Sequence, residues 1–213
     1  MPTEETKLRD AIVRWGRSLF ERGFSVGSAG NISAKLEDGF LCTPTNSCLG
    51  FLEADRLTRL DAGGRHVDGD APTKELPLHM AFYQGRSSAR AVVHLHSTYA
   101  TALSCLADVD PEDAIPPITP YVVMRVGRVP VLPYTKPGSP DIAPVIRARA
   151  DRNAGVLLAN HGPVVAGASL ESAIFAIEEL EETAKLILLT KSMPVRYLDP
   201  AAIAELESSF KLR

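Results

Sequence analysis

Cysteine is scarce in this sequence, and long hydrophobic runs are absent. The 213 residues include only Cys42, Cys48 and Cys105, and an odd number without a disulfide-like spacing favours reduced thiols in a cytoplasmic compartment. The apolar runs are much shorter than the ~20 residues that span a bilayer, and the N-terminus shows no basic segment followed by an apolar one. We therefore expect neither a membrane span nor a secretory leader.

An excess of charge of one sign is also lacking. Lysine and arginine number 23 against 26 aspartate and glutamate residues, the net charge is -3, and the basic residues are scattered along the chain. Proteins that bind nucleic acid need a basic patch for the phosphate backbone, so nucleic acid is not an expected partner. Hydrophobic residues make up 45% of the chain, enough to bury one sizeable core, and we expect a single domain over residues 1–213.

The apolar periodicity and the turn signals predict helices that cover a largely antiparallel sheet. Apolar residues follow a helical spacing over residues 8–19 behind the candidate N-cap Thr3, and over residues 170–188 behind the N-cap Ser169. Turn signals near residues 37–39 and 61–64 predict two hairpins. The other expected elements are helices at 75–84, 97–106 and 141–149, strands at 91–96 and 155–159, and one or two strands within 122–131.

Two further stretches have a characteristic composition. Gly27 and Gly30 begin a loop, residues 27–33, whose backbone amides can point into one concavity and bind an anion. Four acidic residues fall within five consecutive positions of the last long helix, and we interpret them as a solvated or subunit-facing surface. They are Glu178, Glu179, Glu181 and Glu182.

Three histidines form a candidate metal site. Alternation along a strand places His94 and His96 on one face and the residues between and before them in the core. His161 lies at the end of a predicted strand, where a break in the chain can aim its ring at a neighbouring strand. Three neutral imidazoles are the ligand set of an open catalytic zinc site, and they leave the positive charge of the ion unquenched. A hydrogen-bonded pair of strand histidines is the alternative, and His66 and His79 are interpreted as exposed or structural.

Glu75 is the candidate catalytic carboxylate. It stands at a predicted helix start, where backbone amides that bind an anion can be combined with an acid/base side chain. The alternative is a first-turn glutamate that the helix dipole stabilises. The neighbouring Lys74 can pair with a carboxylate or phosphate of the substrate, or can be an exposed lysine without contacts.

In order and approximate spacing, these motifs resemble those of the class II aldolase/adducin family, specifically its sugar-phosphate members related to fuculose-phosphate aldolase. The resemblance covers almost the whole chain and implies a three-layer α/β/α fold with a central, mostly antiparallel sheet. It also implies a homotetramer with sites between subunits, and Zn2+, or alternatively Mn2+ or Co2+, on His94, His96 and His161, with Glu75 as an acid/base that can also touch the metal. The matching motifs are Gly30-Asn31-Ile32-Ser33, Thr43-Pro44-Thr45, Pro72-Thr73-Lys74-Glu75, Ala91-Val92-Val93-His94-Leu95-His96 and Asn160-His161-Gly162.

The same resemblance implies a set of substrate-binding residues. Tyr121 is a candidate for proton delivery, with an ordinary buried or surface tyrosine as the alternative. The sequence departs from the simple aldolase pattern because Asn46 replaces a usual glycine and Thr73-Lys74 replaces two serines. The residues expected around the phosphate are Asn31, Thr45, Asn46, Thr73 and Lys74.

The segments at residues 45–50, 74–75 and 116–121 are most similar to the 3-oxo-tetronate 4-phosphate decarboxylase branch of the family. This similarity implies decarboxylation of such an acid to dihydroxyacetone phosphate and carbon dioxide through a metal-stabilised enediolate. An aldolase makes the same enediolate by cleaving a bond to an aldehyde, so the metal motif leaves both reactions open. An epimerase, a dehydratase and a non-catalytic adducin-like module are further alternatives.

Overall fold

The computed structural model describes residues 2–210 and arranges them as helices on both faces of one sheet. The helices are α1 (Glu4–Glu21), α2 (Leu76–Gly85), α3 (Thr98–Ser104), α4 (Pro120–Arg125), α5 (Ile142–Arg147), α6 (Leu170–Thr190) and α7 (Pro200–Ser209). The strands are β1 (Asn31–Lys35), β2 (Gly39–Cys42), β3 (Thr58–Asp61), β4 (His66–Asp68), β5 (Ala91–His94), β6 (Val131–Leu132), β7 (Gly155–Leu158) and β8 (Gly162–Gly167).

The sheet has the strand order β4-β3-β2-β1-β5-β8-β7-β6, and its only parallel pair is β6 with β7 within the described residues. One hydrophobic core lies between the first face of the sheet and helices α1, α3, α4 and α6. Ile12 and Ile174 are fully buried in it. A second core packs the other face against α2 and α5, with Phe82 and Ile146 fully buried. The three-layer α/β/α fold with a mostly antiparallel sheet is therefore confirmed.

Side-chain caps begin the two long helices where the sequence predicted them. The Thr3 hydroxyl accepts the Thr6 N–H at 3.1 Å, ahead of α1. Ser169 and Ser172 form a capping box at α6, since each hydroxyl accepts the other residue's backbone N–H, at 2.9 and 3.0 Å. These bonds satisfy backbone donors that the first helical turn leaves without partners.

The strands expected within residues 122–131 were wrong for most of that segment. Pro120 begins α4 in the first turn, where its fixed φ favours a helix and its missing N–H costs nothing. Val122, Val123 and Val126 then pack on the helical side of the sheet, so tertiary burial overrides the strand preference of a valine-rich run. A strand forms only at Val131–Leu132.

The α7 helix was not predicted, although its start carries a recognisable signal. The Asp199 carboxylate accepts the Ala202 N–H at 2.8 Å, and Pro200 occupies the first helical position.

Through residues 2–210, no helix is both long and apolar enough to cross a membrane. The three cysteines are free thiols.

Candidate metal centre and active site

The predicted metal ligands converge at one end of the three central strands β1, β5 and β8. Asn31 on β1 lies opposite His94 on β5, which in turn lies opposite Val164 on β8. The strand β5 ends at His94, yet the alternation continues for two residues. Leu95 is buried in the core with α1 and α6, so His96 emerges on the same side as His94, as predicted.

The turn before β8 carries the third imidazole. Asn160 has φ 57°, in the left-handed region that asparagine adopts more readily than most residues. Gly162 follows His161, and a Cβ at Gly162 would stand 2.4 Å from the Leu95 carbonyl oxygen. Only glycine allows β8 to begin so close to the end of β5. The turn therefore brings the His161 ring to His94 and His96.

The three imidazoles and one carboxylate face a common centre. The His94 and His96 Nε2 atoms are 3.0 Å apart, and those of His96 and His161 are also 3.0 Å apart. Glu75 Oε2 lies 3.2 Å from His94 Nε2, and Glu75 Oε1 lies 3.3 Å from His161 Nε2. A tetrahedral zinc ion with bonds of ~2.0–2.1 Å holds its ligands ~3.3 Å apart.

The donor set fits a divalent cation on chemical grounds as well. The His94 Nδ1–H donates to the Pro163 carbonyl at 2.9 Å, a bond that orients the ring so that Nε2 faces the centre. Burial, reinforced by the charge of His94, lowers the pKa of His96 and of His161 to about 4. His96 and His161 are thus neutral at pH 7, which is the form in which histidine binds a metal. Glu75 Oε1 is buried without a hydrogen-bond partner in the described structure, and a cation would satisfy it.

Glu75 is ionised in this setting. Burial, the largest single cause, acts to raise its pKa, but it is outweighed by the hydrogen bond and charge of His94, the hydrogen bond from Asn31 and the charge of His161. Together these lower the pKa of Glu75 below its usual value. Glu75 is the residue directly before α2, which confirms that it stands at a helix start. It can therefore serve as a metal ligand or as a base.

A cavity of about 220 Å3 opens beside this cluster. Asn31, Thr45, Asn46, Thr73 and Lys74, the five residues expected around the phosphate, all line it. The structure thus brings them together, and their role stays a prediction. Its remaining lining residues are Ser28, Ala29, Gly30, Pro44, Glu75, His96, Pro137 and His161.

The loop at Asn46 keeps the backbone that a glycine would adopt. Asn46 has φ 56°, and asparagine is one of the few residues other than glycine that takes this conformation readily. The Thr45 N–H donates to the Ala71 carbonyl at 2.9 Å. Pro44 and Pro72 are paired in an isolated antiparallel β-bridge. Asn46 therefore gives the loop a backbone that glycine could also adopt, and it adds a polar side chain to the lining of the cavity.

One wall of the cavity was missed by sequence reasoning. Pro137 comes from the segment between β6 and α5, which packs against the backbone of Lys74. Gly138 has φ 80°, and a Cβ there would lie 3.2 Å from the Lys74 carbonyl oxygen. The Pro-Gly pair is a turn signal, but nothing local shows which loop it meets.

One predicted site residue lies elsewhere. Tyr121 is 56% exposed at the start of α4 and does not line this cavity, so its role stays a prediction.

Glu181 was expected at a solvated or subunit-facing surface, and that expectation was wrong. It is 6% exposed and accepts hydrogen bonds from the Ser97 hydroxyl at 2.8 Å, the Tyr99 N–H at 2.8 Å and the Ala100 N–H at 2.7 Å. The carboxylate therefore anchors the segment that carries His96.

Fold and site together define the class of protein. Residues 10–188 match the family model of the class II aldolase and adducin N-terminal domain. The chain belongs to the class II aldolase/adducin family. Family membership and the cluster of three histidines and one glutamate indicate a divalent-metal site.

Within this family, the chain is similar to particular proteins of known name. The chain is 50% identical over 205 residues to the 3-oxo-tetronate 4-phosphate decarboxylase of Pectobacterium atrosepticum, covering 96% of this chain and 94% of that protein. It is 32% identical over 212 residues to the L-fuculose phosphate aldolase of Escherichia coli K12, covering 98% and 96%. The crystal structure of YgbL from Klebsiella pneumoniae, described as a candidate aldolase, epimerase or decarboxylase, superimposes with a TM-score of 0.93 at 49% identity, covering 96% and 100%.

Proposed function

We propose that the protein is a metal-dependent carboxy-lyase that converts a 3-oxo-tetronate 4-phosphate into dihydroxyacetone phosphate and carbon dioxide. The observation that carries this proposal is a cluster of three imidazoles and one carboxylate beside a small polar cavity, in a chain 50% identical to such a decarboxylase. Zinc is the proposed ion because three nitrogen ligands and an open position suit it. Manganese and cobalt are the alternatives.

The substrate is a β-keto acid, so loss of its carboxylate leaves an electron pair on C2 that must spread onto the C3 ketone oxygen. His94, His96 and His161 would hold a divalent ion, which when bound would supply positive charge for that oxygen. Glu75 is ionised in the resting site, and its Oε1 has no hydrogen-bond partner in the described structure. The proton that C2 takes up comes through Glu75 or from a water molecule that Glu75 orients.

The phosphate end of the substrate occupies the polar side of the cavity. The Thr45 and Thr73 hydroxyls, the Asn31 and Asn46 carboxamides and the Lys74 ammonium supply its donors. Thr73 is buried, and its hydroxyl accepts the Glu75 N–H at 3.3 Å. This hydrogen bond connects a residue proposed to bind the phosphate directly to the residue that carries the catalytic carboxylate. The small volume, about 220 Å3, favours a short-chain substrate.

A homotetramer with sites between subunits is part of the proposal, as is a reducing, cytoplasmic setting. Tyr121 is exposed and lies outside the cavity of its own chain, so it would deliver a proton to the site of a neighbouring subunit. Mixing Tyr121→Phe with Glu75→Gln subunits tests this arrangement, since a shared site restores activity in the mixed oligomer. Mixtures that stay as inactive as the separate variants, although subunits exchange, would contradict it. Sedimentation measures the oligomeric state.

Product analysis tests the reaction. The zinc-loaded enzyme is incubated with stereoisomers of 3-oxo-tetronate 4-phosphate and, separately, with ketose 1-phosphates, and dihydroxyacetone phosphate and carbon dioxide are measured together. Equal amounts of both products from an acid support the proposal. Chelation should abolish the activity and added metal should restore it, and a fully active metal-free preparation would contradict the metal assignment.

The second candidate is a sugar-phosphate aldolase. The 32% identity to L-fuculose phosphate aldolase favours it, because the same cluster can stabilise the same enediolate. In the same assay an aldolase would release dihydroxyacetone phosphate and an aldehyde from a ketose 1-phosphate, without carbon dioxide.

A further inference from the structure

A buried polar chain connects Glu75 to the interior of the protein. The Asn31 Nδ2–H donates to Glu75 Oε2 at 2.8 Å, and Asn31 Oδ1 lies 2.5 Å from His79 Nε2. His79 Nδ1 lies 2.8 Å from the Ser33 hydroxyl, which in turn lies 2.8 Å from the Tyr83 hydroxyl. His79 is fully buried, and Asn31, Ser33 and Tyr83 are each less than one-tenth exposed.

The fold explains why these groups meet. Asn31 and Ser33 are two residues apart on β1 and share one face, whereas His79 and Tyr83 are four apart on α2 and share one side. Glu75 directly precedes α2. The chain of contacts therefore runs between the first strand and α2, the helix that follows Glu75.

Hydrogen-bond chemistry assigns a direction to the three links between Glu75 and Ser33. An ionised Glu75 only accepts, so Asn31 donates through Nδ2 and its Oδ1 must accept from His79 Nε2–H. Full burial and the charge of His94, opposed by Glu75, lower the pKa of His79 to about 3, so the ring is neutral and its Nδ1 accepts from Ser33. Each side-chain polar atom of Asn31 and His79 thereby obtains a partner of the right kind.

We infer that His79 is a positioning residue, which fixes the Asn31 carboxamide so that Asn31 holds Glu75 Oε2 and leaves Oε1 as the oxygen that meets metal or substrate. This inference rests on the proposed function. The near-symmetric Asn31 amide could otherwise rotate by half a turn and point an oxygen at the carboxylate. The His79 N–H excludes that orientation, because Oδ1 must face it.

Three variants separate this role from a purely structural one. His79→Phe keeps a ring but removes the donor to Asn31, whereas His79→Gln retains an N–H donor. Thr183→Val is a matched control, since it removes a buried hydroxyl, 1% exposed and bonded to Glu179, away from the site. We expect His79→Phe to weaken zinc binding by the apoprotein and to lower kcat, each by about 10- to 100-fold as for other partners of metal ligands. His79→Gln should restore most of both, and Thr183→Val should change neither.

A double-mutant cycle tests the route through Asn31. If His79 acts through Asn31, His79→Phe should have little further effect on the zinc Kd in an Asn31→Ala background. Additive losses would overturn the inference, as would a His79→Phe enzyme that matches Thr183→Val in zinc Kd and kcat.

Nitrogen NMR of histidine-labelled, zinc-loaded enzyme gives a readout that does not depend on the variants folding. We expect His79 to carry its proton on Nε2 from pH 6 to 9, with Nδ1 unprotonated, and a proton on Nδ1 instead would overturn the inference. The zinc Kd and the NMR signals do not depend on which bond the enzyme breaks. A failed product assay would thus reject the proposed reaction and leave this test intact.

Discussion

Replacing Glu181 with alanine should weaken both the fold and the metal site. The Glu181 carboxylate accepts three hydrogen bonds at the start of α3, at 2.7–2.8 Å, and two of the donors are backbone N–H groups. A hydrogen bond to a charged group contributes ~1.5–3 kcal/mol, and water can replace part of what the truncation removes. We expect the free energy of unfolding to fall by ~3–5 kcal/mol, or about 6–20 °C in Tm for a chain of this size.

The effect should also reach the metal, because His96 lies between the end of β5 and the anchored Ser97. We expect the zinc Kd of Glu181→Ala apoprotein to rise about 10- to 100-fold, as for other residues that orient ligands. Denaturation is measured without metal, since bound zinc would mask the loss. Glu181→Gln should lose less, because it keeps one oxygen acceptor.

Glu182→Ala is the matched control for this prediction. Glu182 belongs to the same acidic run but is exposed, and it pairs with Lys185 only at 3.8 Å. An exposed pair of this kind contributes at most ~1 kcal/mol. Equal stability and zinc Kd in the Glu181→Ala and Glu182→Ala proteins would refute the reasoning.

Two further predictions concern the site itself. Glu75→Gln should keep the fold and lose turnover by ~10²-fold or more, as measured by steady-state kinetics with matched zinc occupancy, and near-normal kcat would contradict the assignment. The pKa of His79 is about 3 and those of His96 and His161 are about 4, against 6.5 for a free histidine, so the unfolded chain binds more protons between pH 6.5 and 4. Apoprotein stability should therefore fall as the pH is lowered through this window, and equal urea midpoints at pH 7 and pH 5 would count against the burial of neutral rings.

Features of the fold that depend on residues close together in the sequence could be predicted from local sequence patterns. Alternation at His94 and His96 predicted the shared face, and the caps Thr3 and Ser169 predicted two helix starts. The burial of Glu181 could also have been predicted from its helical spacing. It lies four residues after Ile177 and three before Ala184, on the buried side of α6, whereas the acidic run suggested a solvated face.

Features built from distant segments could not be predicted in the same way. His79 and Asn31 are 48 residues apart, and their contact exists only because α2 packs across β1. The loop at Pro137 meets Lys74 from another part of the chain. A short helix at Pro120 resembles a strand because its valines are β-branched, and burial against α6 decides the outcome. In each case the missing information was spatial.

Lys74 can contact either anion of the proposed substrate, the phosphate or the carboxylate, because it lines the cavity. It is exposed and makes no ion pair within residues 2–210, so its ammonium is available to a bound anion. A bond to the phosphate is equal in ground and transition states, and Lys74→Ala would then raise KM and leave kcat unchanged.

A bond from Lys74 to the carboxylate would behave differently, since that charge disappears as carbon dioxide leaves. Such a bond stabilises the ground state more than the transition state, and its removal would raise KM and also raise kcat. We expect the first pattern, because a decarboxylase gains nothing by holding the charge it must lose. Lys7→Ala, which removes an exposed lysine of α1, is the control for a general loss of positive charge, and a Lys74→Ala enzyme with unchanged KM would show that Lys74 contacts neither anion.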